Sequence, residues 1–158
     1  VKDLSATDRE LIGEISSLKQ KIRELTRLES ERACEEEELH KSRRFLLDLI
    51  EYSGALICVK DREGRYEMVN GKWEGVTGLK RGDTIGRTDE ELFPGPTGRQ
   101  FRLNDLEVIE TGSVLEKEEV LEDGRGRRFF ISIKFPLRGD NGGIRGVCGM
   151  FTEITARK

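Results

Sequence analysis

Histidine is almost missing from this 158-residue chain, which holds a single one, His40. One imidazole cannot build a His-dependent triad together with a separate histidine metal site. His40 lies between Leu39 and Lys41 in an acidic stretch and lacks the neighbouring carboxylate of a phosphoacceptor histidine, so it reads as an exposed helical residue. Cysteine is scarce as well: Cys34, Cys58 and Cys148 are odd in number and far apart, which leaves neither a disulfide framework nor a CxxC metal site and fits a reducing cytoplasm. No apolar run approaches the roughly 18 residues of a membrane span, and no leader has the signal-peptide pattern; direct membrane insertion is not expected. Basic residues are not in excess. With Lys+Arg 28 against Asp+Glu 31 and a net charge of -3, there is no general pull toward nucleic acid or anionic lipid. A phosphate loop is lacking too, since Gly75 to Lys80 and Gly124 to Arg127 have neither its spacing nor its following helix. Glu118 and Glu119 alternate faces on a strand, cannot jointly flank a substrate, and read as a solvated edge. Two Arg-Gly-Asp triplets, at Arg81 and Arg138, read as chance.

What is present is charge: 37% of residues are charged and 35% apolar, against about 25% and about 45–50% (glycine included) in ordinary domains. The surplus is localised. The first 45 residues hold 21 charges, no proline and one glycine, whereas the other 17 glycines and all three prolines follow Ser53. This divides the chain into a helical region, 1–45, and a turn-rich α+β region, 46–158. In the first, a seven-residue count from Leu4 meets Leu11, Leu18, Leu25, Arg32, Leu39 and Leu46, and the partner positions include Ile15 and Ile22. Leucine at one seam position and isoleucine at the other over Leu11, Ile15, Leu18, Ile22 and Leu25 is the pattern of a parallel two-stranded coiled coil, hence a homodimer. The seam turns polar between Glu29 and Glu36, where the acidic run Glu35 to Glu38 loosens the pairing or shifts its register. The alternative is a solitary amphipathic helix lying on its own domain.

Beyond Phe45 the pattern is shorter. Tyr52-Ser53-Gly54 ends the helix on a glycine suited to a left-handed cap. Ala55 to Val59 and Tyr66 to Val69 read as a hairpin, and Thr88-Asp89-Glu90-Glu91 as a capping box opening a brief helix before Pro94. Thr97 to Glu110 is a helix, with Phe101, Asp105, Val108 and Ile109 along one face and Gly112 at its end. Three strands close the chain, Val114 to Leu121, Arg127 to Leu137 and Gly143 to Ile154, joined by Gly- and Asp-rich hairpin turns. The result is an α+β layout with a five-stranded antiparallel sheet and helices on one face.

Several short patterns fall in a definite order here: Asp61-x-x-Gly64-x-Tyr66 leading into Val69-Asn70, then Val76-Thr77-Gly78-Leu79, Ile85-Gly86-Arg87-Thr88 before Phe93-Pro94, Asp105 with Ile109-x-x-Gly112, Asp123-Gly124, and Glu153-Ile154-Thr155-x-Arg157-Lys158. In this order the segment from about Phe45 to Lys158 resembles the PAS family of sensor domains. Glu153 replaces the family's usual Asp at the domain exit, which leaves open whether the exit salt bridge forms. The resemblance implies a ligand cavity. Its walls are expected to be the apolar row Phe129, Ile131, Ile133 and Phe135, faced by Trp73, Phe101, Val108 and either Met150 or Cys148, with Asp105 capping loop amides or addressing a polar ligand. The cofactor stays unknown: no histidine lies in 46–158 to ligate haem, and the stretch Gly86 to Leu92 lacks the cysteine of the flavin-adduct subgroup. Cys58 and Cys148 in apolar strands read as small buried hydrophobes rather than redox sensors.

The function expected is a sensory and signal-relay module of a larger prokaryotic signalling protein, with no catalysis in this segment. A small molecule or an upstream torque biases the sheet, and the change leaves through Glu153, Ile154 and Thr155 into an output domain beyond Lys158: a histidine kinase of a two-component system, a diguanylate cyclase or a transcription regulator. Valine at position 1 is consistent with a fragment. The competing expectation is a structural dimerisation and spacing element with a filled core and no ligand. A DNA-binding zipper would need a basic stretch ahead of the leucine seam, but Lys2 and Arg9 are outnumbered by Asp3, Asp8 and Glu10; no nucleic-acid partner is expected.

Overall fold

The computed structural model describes residues 5–157, in two compact units that divide between Leu47 and Asp48. Leu4, the first heptad leucine, lies outside the described residues, as do Lys2, Asp3 and the terminal Lys158.

The first long element is α1 (Ala6–Glu51), 46 residues or about 69 Å at 1.5 Å per residue. Ser5 and Asp8 open it reciprocally: Ser5 Oγ accepts from the Asp8 N–H at 3.1 Å and Asp8 Oδ2 accepts from the Ser5 N–H at 3.3 Å, a capping box with aspartate in the acidic position. The acidic run stays helical, flanked by i,i+4 pairs Arg32–Glu36 at 3.3 Å and Lys41–Glu37 at 3.1 Å. No residue of α1 is buried. Leu11, Ile15, Leu18, Ile22 and Leu25 are each 50–61% exposed, so the heptad stripe is an open apolar face of one helix.

The end of α1 differs from the expectation. Gly54 is not among the glycines with positive φ. The work is done instead by Asn70, fully buried, whose side-chain amide donates to the carbonyls of Ile50 and Ala55 at 2.8 and 2.9 Å while its Oδ1 accepts from the Ile57 N–H at 3.0 Å. One side chain thus satisfies the helix end, the turn after it and the first strand.

The second unit is an antiparallel sheet ordered β2-β1-β5-β4-β3, built from β1 (Leu56–Asp61), β2 (Tyr66–Val69), β3 (Leu115–Asp123), β4 (Gly126–Arg138) and β5 (Ile144–Glu153). The β1–β2 turn is set by Asp61, whose Oδ1 accepts from the Arg65 N–H at 2.9 Å, and by Gly64 at φ 84°, which only glycine adopts without strain. Between the hairpin and β3 run α2 (Gly71–Thr77), α3 (Arg81–Thr84), α4 (Asp89–Leu92) and α5 (Pro96–Thr111). Thr88 caps α4 by accepting from the Glu91 N–H at 3.4 Å. At Gly98 a Cβ would collide with the carbonyl oxygens of Asp89 and Phe93, so glycine lets α5 start hard against α4. α5 packs on β3, β4 and β5, and α2 on β1, placing Leu56, Tyr66, Trp73, Phe101, Phe130 and Phe151 in one core between helices and sheet.

The face of β4 is the reverse of the one expected. Phe130, Ser132 and Lys134 are buried, at 4%, 1% and 1% exposure, while Ile133 is 39% exposed. Phe129, Ile131, Ile133 and Phe135 therefore turn to the outer face of the sheet, where the register also puts Ile57 opposite Met150 and Met150 opposite Ile133. Both faces carry apolar residues, so alternation alone does not say which is inward, and a one-residue choice flips every side chain. The inward row holds a lysine because partners await it.

Candidate functional site: a core cavity beside a buried ion network

Five charged side chains are buried between the helices and the inner face of the sheet: Lys60 of β1, Asp89 of α4, Asp105 of α5, Glu119 of β3 and Lys134 of β4. Lys60 Nζ donates to Asp89 Oδ2 at 2.6 Å and to Asp105 Oδ2 at 2.7 Å. Lys134 Nζ donates to Asp105 Oδ1 at 2.9 Å and lies 3.1 Å from Glu119 Oε1, which also accepts from Asn104 Nδ2 at 2.6 Å. Tyr66 Oη donates to Asp89 Oδ1 at 2.6 Å. Asp105 bridges the two lysines, so β1, β4 and α5 are tied through one carboxylate, and α4 joins them through Asp89 on Lys60.

The electrostatics follow from this geometry. Burial alone would drive the Asp105 carboxyl up, but Lys60 and Lys134 outweigh it and hold the group below the usual carboxylate range. Burial would likewise lower Lys60, yet Asp105 and Asp89 overcome it and keep the ammonium above its ordinary value. The Tyr66 phenol is pushed well up, first by burial and then by the Asp89 charge. Cys58, packed next to this cluster, is pushed up to about 12 chiefly by burial, and Cys148 to about 11 by the same cause. Neither thiol carries the thiolate that reactivity needs.

Against the network lies a cavity of about 30 Å³, room for one or two water molecules. Its walls are aromatic: Tyr66, Trp73, Phe93, Phe101 and Phe151 follow one another with ring centroids 4.9, 6.0, 5.6 and 6.5 Å apart. Leu56, Leu121 and Phe130 complete the apolar lining, and Thr77 and Glu119 add polar groups. Two buried polar atoms here meet no partner among the described residues: Trp73 Nε1 and Glu119 Oε2.

Of the residues expected from sequence to form the pocket, Trp73 and Phe101 line this cavity. Val108 is fully buried on α5 but does not line it, and Asp105 is taken up by two lysines rather than by loop amides. Phe129, Ile131, Ile133 and Met150 belong to the other face of the sheet, for the reason of parity given above. Glu119, expected on a solvated edge, is buried, and Lys60, Asp89, Glu119 and Lys134 are the functional candidates that sequence reasoning missed. A signal existed: Lys60 directly after the apolar run Leu56 to Val59 and Lys134 within Phe129 to Phe135 need buried carboxylates, and Asp105 shares a helix stripe with Phe101. At the exit, Thr155 Oγ1 donates to Glu153 Oε1 at 2.9 Å and accepts from the Phe129 N–H at 3.1 Å, and the Ile154 N–H donates to the Phe129 carbonyl at 2.8 Å. Glu153, Ile154 and Thr155 are thereby tied to β4. No helix among the described residues is long and apolar enough to cross a membrane.

Residues 50–158 match the PAS fold family. Over 144 residues, 90% of the chain, the sequence is 27% identical to the methanogenesis regulatory histidine kinase FilI of Methanothrix harundinacea, of which it spans 16%. Among solved structures, VqmA bound to DPO superposes with a TM-score of 0.61 at 29% identity, covering 69% of this chain and 56% of that one. The Vibrio cholerae VqmA dimer gives 0.63 at 28% identity, covering 71% of this chain and 51% of that one. VqmA has also been seen with both ligand and DNA, so the expectation of no nucleic-acid partner finds no support in these relatives. The PAS domain of a Colwellia psychrerythraea protein, 21% identical, gives 0.63 over 75% of this chain and 99% of its own, a likeness of fold. The sheet order, the helices on one face and the matched 109 residues agree: the chain belongs to the PAS family of signal-sensing domains.

Proposed function

We propose that this chain is a dimeric sensory relay module of a larger cytoplasmic signalling protein, taking a small molecule into its core cavity and passing the change on through β5. The observation that carries this reading is the cavity's position: Phe151 of β5 forms part of its wall, and β5 runs two residues further to the exit segment Glu153 to Thr155. A ligand that favours one packing of Phe151 over another would bias that segment, and the shift can be no larger than its difference in affinity for the two packings. The likeness to the histidine kinase FilI and to ligand-bound VqmA supports an output domain elsewhere in the same protein. A kinase, a diguanylate cyclase and a transcription regulator would each serve. The exposed leucine and isoleucine stripe of α1 supports pairing with a second copy of the helix, as does the dimeric state of VqmA.

The small size of the cavity favours a second reading, a dimerisation and spacing element whose core is full. Native mass spectrometry of the whole chain, followed by denaturation and analysis of what is released, separates the two. A stoichiometric small molecule supports sensing. A dimer that releases nothing, and whose melting temperature is unmoved by a library of small soluble compounds, supports the spacer.

A further inference from the structure

Within the sensing reading, and resting on it, a cavity with room for one or two water molecules needs a wall that can move. α2 carries two of the lining residues, Trp73 and Thr77, and packs chiefly on β1, whereas α5 packs on β3, β4 and β5. The two ends of α2 are held differently. At its N-terminus Asn70 accepts from the Trp73 N–H at 3.3 Å and, fully buried, is anchored to Ile50, Ala55 and Ile57. At its C-terminus the chain turns at Gly78, φ 74°. There the Val76 carbonyl, one of the last that a helix leaves without an internal partner, is taken by two arginines of the β3–β4 hairpin. Arg125 Nη2 donates to it at 2.7 Å and Arg128 Nη1 at 2.5 Å.

Strand register puts this second attachment at one end of the cavity. On the inner face Glu119 pairs with Phe130, and Leu121 with Arg128. The first three line the cavity, and Arg128, next to Phe130 on the inner row of β4, reaches past them to α2. Asp123 steadies the two arginines, accepting from Arg128 Nη2 at 2.7 Å and from the Arg125 N–H at 2.9 Å. The grip is polar and incomplete. Arg128 Nε is buried and meets no partner among the described residues, a cost of the closed arrangement that hydration on opening would relieve. The Arg125 side chain is 51% exposed, so water competes for its bond.

We propose that α2 is a lid over the core cavity, hinged at Asn70 and clasped by Arg125 and Arg128 on the Val76 carbonyl. Release of the clasp carries Thr77 and Trp73 away from the sheet and opens the cavity to water.

Trp73 is the only tryptophan of the chain and is 3% exposed, so exchange of its indole N–H in deuterated water, followed by NMR on the full chain, reads the lid. In low urea the indole is expected to exchange faster than the amides of β1, β4 and β5 and with little dependence on denaturant, the mark of a local opening. Arg125→Gln combined with Arg128→Gln should speed it at least about tenfold further. Arg127→Gln removes the same charge from the same hairpin, but from a side chain set over the Phe129 ring, and should leave the indole rate as it was. The lid is overturned by an indole rate that rises with urea in step with the strand amides, by an unchanged rate in the double variant, or by equal acceleration in R127Q. Should the double variant fail to fold, the urea series on the unaltered chain decides alone. No ligand takes part, so these rates judge the lid by itself, and a small molecule released on denaturation judges the sensing reading.

Discussion

The two units of this chain place their polarity in opposite ways. α1 leaves the leucines and isoleucines of its heptad stripe open and buries nothing, whereas the sheet unit sinks five charged groups into its interior. Each arrangement is unfavourable when judged on its own. An apolar stripe gains stability only against another apolar surface, and a buried charge is tolerated only with partners held in place. On the proposed reading a second copy is the complement of the first unit, whereas the second unit supplies its own.

The largest effect should come from removing the centre of that internal supply. Asp105→Ala leaves Lys60 and Lys134 facing one another without the carboxylate between them, and is expected to destabilise the sheet unit by about 3–5 kcal/mol in denaturant titrations. The network also sets the pH response. Lys60 and Lys134 hold the Asp105 carboxyl below its ordinary value of 3.8, so its contribution is present above that pH and lost as pH falls through the lower folded value. Lys60 titrates above 10.5, so its contribution is present below that pH and lost as pH rises through the higher folded value. Thermal melts of the sheet unit should show a plateau between these limits with a fall on each side, and Asp105→Asn should remove the acid limb attributable to this group.

A second contrast lies within β4. Phe130→Ala empties the inner face and should cost about 3–5 kcal/mol, while Ile133→Ala on the outer face should cost about 1 kcal/mol. A larger loss for Ile133→Ala than for Phe130→Ala would mean that the sheet faces the other way. On α1, Leu18→Glu should weaken self-association by at least about a hundredfold, since each pair brings two charges into the seam. The melting of the sheet unit should stay where it was, as monitored by Trp73 fluorescence.

How far the sequence could be read depends on the range of the forces involved. The turn at Asp61 and Gly64, the cap at Thr88 and Glu91 and the stop at Gly112 all lie in contacts of a few residues, and each appears where its residues stand. The end of α1 does not, because Asn70 reaches back 20 residues to Ile50 and takes over the role that a nearby glycine would have played. The site was legible only where bulk spoke for itself, at Trp73 and Phe101. Lys60 meets Asp89 and Asp105 across 29 and 45 residues, and no local pattern joins them. The inward face of β4 was hidden by its own partner: Lys134 looks like a surface residue until Asp105 and Glu119 are known to be beside it.

Hydrogen exchange followed along the whole chain at a series of protein concentrations tests most directly whether α1 is completed by a second copy and the sheet unit by itself. Amide protection in Leu11 to Leu25 is expected to fall on dilution as the dimer dissociates, while protection in β1, β4 and β5 does not change. Protection of α1 that is independent of concentration in a monomeric protein would contradict it.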